Sequence, residues 1–112
     1  MVMALLVTGC GCGDEGCSSL LSVRLPSTPT EPFRIEVSGD GGSRVFDCPD
    51  PQQCGPGAVF ANYLPRTATV RVTVGTRARE TVVEPSYRTI KIGGPFCGGP
   101  ECQQAFVSVP LP

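Results

Sequence analysis

The chain contains no histidine, no tryptophan and a single lysine among its 112 residues. Without histidine there is no Ser-His-Asp or Cys-His nucleophile and no imidazole-ligated metal. The formal net charge of −1 supplies no long-range field to attract nucleic acid or an anionic membrane surface. No stretch of ten residues carries the 3.6-residue apolar period of an amphipathic helix, and no apolar run approaches the ~20 residues that cross a bilayer as a helix. No internal repeat or low-complexity block appears, and nothing in the sequence calls for a cofactor. One domain fits this length, since domains run to ~100–150 residues.

In abundance instead are 14 glycines, 12 prolines and seven cysteines. Glycine and proline break long helices and punctuate turns. Between them, two-residue alternation recurs, the mark of half-buried strands. Leu21, Val23 and Leu25 alternate with Ser22 and Arg24 and stop at Pro26. Phe33, Ile35 and Val37 follow, and Gly39-Asp40-Gly41-Gly42 turns the chain back into residues 43–47. Residues 58–63 form another candidate strand. Val70, Val72 and Val74 give the clearest strand, and Gly75-Thr76 fits a two-residue hairpin turn into residues 77–83. Residues 87–92 and the alternating Val107, Val109 and Leu111 complete the set. Seven or eight short strands at roughly ten-residue intervals predict an all-β, antiparallel β-sandwich over residues 19–112.

With Cys10 set aside as a lipid-bearing residue (below), six cysteines remain, Cys12, Cys17, Cys48, Cys54, Cys97 and Cys102, and an even number in a small exported domain reads as a disulfide framework. Cys48 and Cys54 flank Pro-Asp-Pro-Gln-Gln, and Cys97 and Cys102 flank Gly-Gly-Pro-Glu. Both are turn-rich, and short loops close at low entropic cost, so local pairs Cys48–Cys54 and Cys97–Cys102 are expected. Cys12 and Cys17 then pair by default. The competing arrangement runs from Cys12 or Cys17 to Cys97 or Cys102, tying the first strand to the last. A four-thiolate zinc site is a further alternative, although the x4 and x5 spacings depart from the usual Cys-x2-Cys knuckle.

Residues 1–9 are uncharged and mostly apolar, and Val7-Thr8-Gly9-Cys10 closes them. This tetrad resembles the bacterial lipobox, an aliphatic residue and two small residues before a cysteine. The resemblance implies that residues 1–9 are a lipoprotein signal segment, that Cys10 becomes the lipid-bearing first residue of the mature chain, and that residues 10–18 are a tether. Gly11 after the cysteine leaves the outer membrane open as a destination. No basic residue precedes the apolar run, as a full signal would require. A truncated signal accounts for that, and an edge strand or a tail is the alternative. The lipobox, the Val-x-Val-x-Val strand and the cysteine-bounded loop before the last strand together resemble small exported lipoproteins of the carboxypeptidase-regulatory-like, or transthyretin-like, type. Immunoglobulin-like sandwiches share that pattern. The resemblance implies a non-catalytic accessory or binding module in a bacterial cell envelope, with the membrane and an envelope protein or glycan as partners. A secreted, disulfide-stapled hydrolase inhibitor is the alternative function.

Two Pro/Gly-rich loops, residues 48–57 and 93–102, are the best candidates for recognition, because rigid loops on a sandwich scaffold bind with little ordering cost. Arg71, Arg77, Arg79 and Arg88 are expected near one another on one sheet face, either solvated beside Glu80 and Glu84 or facing an acidic partner. Asp40 reads as a turn residue rather than a calcium ligand, since the Asp-x-Asp-x-Asp loop is absent. Phe60 and Tyr63 read as core, with Asn62 between them a carbohydrate candidate.

Overall fold

A computed structural model describes residues 17–91 and 101–112. The signal segment, Cys10, Cys12 and Cys97 lie outside the described residues. Eight strands form two four-stranded sheets. They are β1 (Leu20–Arg24), β2 (Phe33–Gly39), β3 (Gly42–Cys48), β4 (Gly57–Ala61), β5 (Ala68–Val74), β6 (Arg77–Val83), β7 (Arg88–Lys91) and β8 (Glu101–Ser108). The first sheet has the order β4-β1-β8-β7 and the second β3-β2-β5-β6. The only helical element among the described residues is a single 3-10 turn, Pro51–Gln53.

The period-2 pattern selects the core. Leu21, Val23, Ala58, Phe60 and Ala105 point inward from the first sheet, and Phe33, Ile35, Val37, Val70, Val72 and Val74 from the second. All are buried, and no charged or polar residue joins them. Their apolar contact across the two inner faces is the main favourable term holding the layers together. Both predicted hairpins form with the expected turns. Gly75 adopts φ 62°, open to glycine and strained for other residues. At Gly57 the chain passes so close to Val23 O that any side chain would collide with it.

Three expectations need correction. First, the sandwich is not wholly antiparallel. β1 and β8 pair in parallel, Leu21 opposite Ala105 and Val23 opposite Val107, while the other five pairings are antiparallel. The first and last strands enter the sheet from the same end, which hairpin logic between sequence neighbours does not reveal. Second, β8 begins at Glu101, inside the expected 93–102 loop, and ends at Ser108. Val109 N donates to Arg24 O at 3.0 Å, the last rung before Pro110, which has no N–H to give. Val109 is nonetheless buried, and Val107 and Leu111 pack against the core.

Third, Cys102 does not pair with Cys97. It is bonded to Cys17, with Cα atoms 5.6 Å apart at a sequence separation of 85. Cys102 sits in strand β8, and the parallel register brings the residues preceding β1 beside the start of that strand. Gln103 N donates to Ser19 Oγ at 3.0 Å there, and Gln104 Nε2 to Ser18 O at 3.1 Å. Cys12–Cys17 is excluded with it, and the first-to-last-strand staple is the arrangement found. Cys48–Cys54 forms as expected, with Cα atoms 6.2 Å apart.

The two bridges close loops of very different length. In the chain-entropy picture the 85-residue separation contributes about 4–5 kcal/mol and the six-residue one about 2 kcal/mol. Urea unfolding should therefore show the double variant Cys17→Ser/Cys102→Ser losing about 2 kcal/mol more stability than Cys48→Ser/Cys54→Ser.

Candidate functional site

The strand directions divide the molecule into two ends. One carries the Cys17–Cys102 staple, the starts of β1 and β8, and the β2–β3 turn. Residues following β4 fold over it. Asn62 adopts φ 56° and its N–H donates to Ser19 O at 2.7 Å. The Tyr63 hydroxyl donates to Gly42 O at 2.6 Å, with Val37 O at 3.4 Å, and Arg44 lies over the ring at 4.8 Å. Tyr87 donates in turn to Pro65 O at 2.7 Å. Asp40 accepts the Arg66 N–H at 2.8 Å, which holds its carboxyl below the usual aspartate range. These side chains lock the turn to the sandwich. Asp40 is thus a turn residue, and Asn62 an exposed left-handed corner. Phe60 and Tyr63 are both buried, edge to face, with ring centroids 6.3 Å apart.

The opposite end gathers three proline-rich pieces: the β1–β2 loop with Pro26, Pro29 and Pro32, the β3–β4 connection with Pro49, Pro51 and Pro56, and the chain end with Pro110 and Pro112. Eight of the 12 prolines therefore sit at one end. Each fixes its own φ and lowers the cost of ordering its loop. Further bonds set the pieces against the scaffold. Leu25 N donates to Pro56 O at 2.7 Å and Gly75 N to Pro32 O at 3.2 Å. Asp50 Oδ1 accepts from Gln52 N at 3.1 Å and caps the 3-10 turn inside the disulfide loop. Glu31 lies 3.6 Å from Arg77 Nη2, bracing the loop against β6.

Two shallow clefts flank the β1–β2 loop. One of about 360 Å³ lies between Thr28–Thr30 and Asp50–Gln52. The other, about 230 Å³, lies between that loop, Arg77 and the chain end. Their walls offer hydroxyls, one carboxylate, one carboxamide and one guanidinium on rigid loops. Such a set can exchange hydrogen bonds with a polar ligand. It holds no thiol or imidazole to attack one. Among the described residues no group of histidine, cysteine, aspartate or glutamate could hold a metal ion.

Of the two loops singled out from the sequence, residues 48–57 belong to this end. The 93–102 segment lies mostly outside the described residues, and its flanks, Lys91 and Glu101, pair at the staple end. The four arginines do not share a face. Arg71 is on the outer face of the second sheet, opposite Glu80, with Arg71 Nη1 3.9 Å from Glu80 Oε2. Arg77 and Arg79 register with Val74 and Val72 on the other face, and Arg88 belongs to the first sheet. The β1–β2 loop was missed as a binding element. Its proline spacing was visible, but its position beside Cys48–Cys54 depends on topology.

The zinc alternative loses its ligands. All four described cysteines are in disulfides, which leaves none of them free as a zinc thiolate. No protein-family model matches the chain, and no curated protein or solved structure is found similar to it.

Burial pushes the hydroxyls of Tyr63 and Tyr87 above the ordinary tyrosine value of 10.0. A raised folded-state value contributes stability that is complete below about pH 10 and is lost as pH rises past it, because the unfolded chain ionises first. Tyr63→Phe should cost about 1–2 kcal/mol at neutral pH through its lost hydrogen bond. It should also flatten the decline in stability seen by urea unfolding between about pH 9 and pH 11.

Proposed function

We propose that the protein is a cell-envelope lipoprotein, anchored by lipid on Cys10, whose β-sandwich serves as a non-enzymatic binding module. The observation that carries this reading is the Cys17–Cys102 bridge. Two disulfides among the described residues of so short a chain belong to an oxidising, extracellular-type compartment. The staple fixes Cys17 only seven positions after the lipobox cysteine. Seven residues reach at most about 25 Å when extended, so lipid on Cys10 would hold the sandwich close to the bilayer. None of the described helical segments is long and apolar enough to cross a membrane, and the lipid supplies the attachment instead. Recognition falls to the proline-rich end, where the rigid clefts beside Thr28–Thr30 present hydrogen-bonding groups to an envelope protein or glycan.

A second reading draws on the Cys48–Cys54 loop alone. Its residues Pro49, Asp50, Gln52 and Gln53 are exposed on a disulfide-closed scaffold, the form a secreted hydrolase inhibitor would use. Fractionation of the native host separates the two. Wild-type chain should partition with membranes and detergent, and Cys10→Ala should move to the aqueous phase. Unchanged partitioning of Cys10→Ala would overturn the lipoprotein reading. A soluble wild-type chain that inhibits a secreted hydrolase and loses inhibition on Asp50→Ala would establish the second.

A further inference from the structure

The outer faces of the two sheets differ in chemistry. On the second sheet, Arg34 pairs with Asp47 through Nε and Oδ1 at 2.6 Å, and Arg71 lies between Glu36 and Glu80 in register. Charges of both signs alternate there, as on an ordinary solvated surface. On the first sheet, Ser22 of β1 has Val59 of β4 on one side and Phe106 of β8 on the other. Val59 is 61% exposed and Phe106 65% exposed. The adjacent row sets Leu20 beside Ala61. Among the described residues, the charged side chains on this face are Arg24 and Arg88, and no described carboxylate shares it.

We infer that the outer face of the first sheet is a docking surface for an anionic lipid bilayer, laying the sandwich flat against the membrane. An apolar ridge flanked by arginines is the composition of interfacial membrane binders. A second copy of the chain would set arginine against arginine with no described carboxylate between them. Cys17, the first described residue, is held on the same side. Cys102 alternates in phase with Gln104 and Phe106, and Gln104 Nε2 lies 4.0 Å from Cys102 Sγ, so the staple to Cys17 sits on this face of β8. This inference rests on the lipoprotein reading for its biological setting, but the face can be tested without any lipid on the protein.

The test uses full-length Cys10→Ala, which cannot be lipidated, in sedimentation with vesicles of phosphatidylcholine alone or equimolar with phosphatidylglycerol. Binding should require phosphatidylglycerol and weaken with salt. Adding Val59→Asp and Phe106→Asp should reduce it at least tenfold, an effect of roughly 1.4 kcal/mol or more. Arg24→Gln and Arg88→Gln should each reduce it roughly fivefold, and these exposed changes leave the core intact. Circular dichroism and non-reducing peptide maps check that each variant keeps its fold and both bridges. Equal binding by parent and face variants, as the apolar residues 1–9 alone would give, overturns the inference. So does absence of binding, or a dimer in sedimentation velocity that Phe106→Asp dissolves. None of these outcomes bears on lipidation, which the Cys10→Ala fractionation decides separately.

Discussion

Strands β1 and β8 lie side by side at the centre of the first sheet and run in the same direction, and most of the remaining architecture follows from that pairing. Each central strand then has one free side, which β4 and β7 fill. Parallel neighbours cannot be joined by a tight turn, so nearly the whole chain must pass between them. The intervening residues build the second sheet and return. Such a pairing spans the full chain and carries a large loop-closure cost. The Cys17–Cys102 bridge offsets that cost at the position where the two strands enter the sheet. Without the parallel register those cysteines would stand at opposite ends of the sandwich.

The same direction of travel separates the chemistry of the two ends. Both central strands start at the staple, where buried hydroxyls and the Asp40–Arg66 contact fix the turns. Both finish among the prolines, where the Cys48–Cys54 loop, the β1–β2 loop and the chain end meet. The staple end is thus tied by side-chain hydrogen bonds to backbone carbonyls. The opposite end is stiffened by covalent constraint, in proline rings and a local disulfide. A stiff loop cluster loses little entropy on binding and is suited to recognition more than to conformational switching. The sheets divide in the same way. One outer face is a mixed-charge surface, and the other an apolar ridge with arginines at its margins.

Local features of this fold were legible in the sequence. The β5–β6 hairpin could be read because Val70, Val72 and Val74 alternate cleanly and Gly75 supplies the positive φ its turn needs. Cys48–Cys54 could be read because its partners are near in sequence. What escaped was non-local. A period of two states which residues face inward, but not which strands become neighbours, so neither the parallel pair nor Cys17–Cys102 was favoured. Gln103 and Gln104 hid the start of β8, because polar residues fall on both of its faces there. The alternating Val107, Val109 and Leu111 drew the expected strand past Ser108, where Pro110 ends the pairing. The arginines failed for the same reason, since sharing a face requires a register between strands. Half of the candidate site was visible as the 48–57 loop. Its partner loop at Thr28–Thr30 was brought beside it by topology alone.

The most direct test of this account is a disulfide map of the non-reduced protein cut with a glutamate-specific protease. Cleavage after Glu101 places Cys97 and Cys102 in separate peptides, and cleavage after Glu15 frees the peptide that begins just before Cys17. The account predicts a cross-linked species joining the Cys17 and Cys102 peptides, together with an intact Cys48–Cys54 bridge. A Cys97–Cys102 cross-link, with Cys17 bonded elsewhere or free, would contradict the closure of the sandwich by its first and last strands.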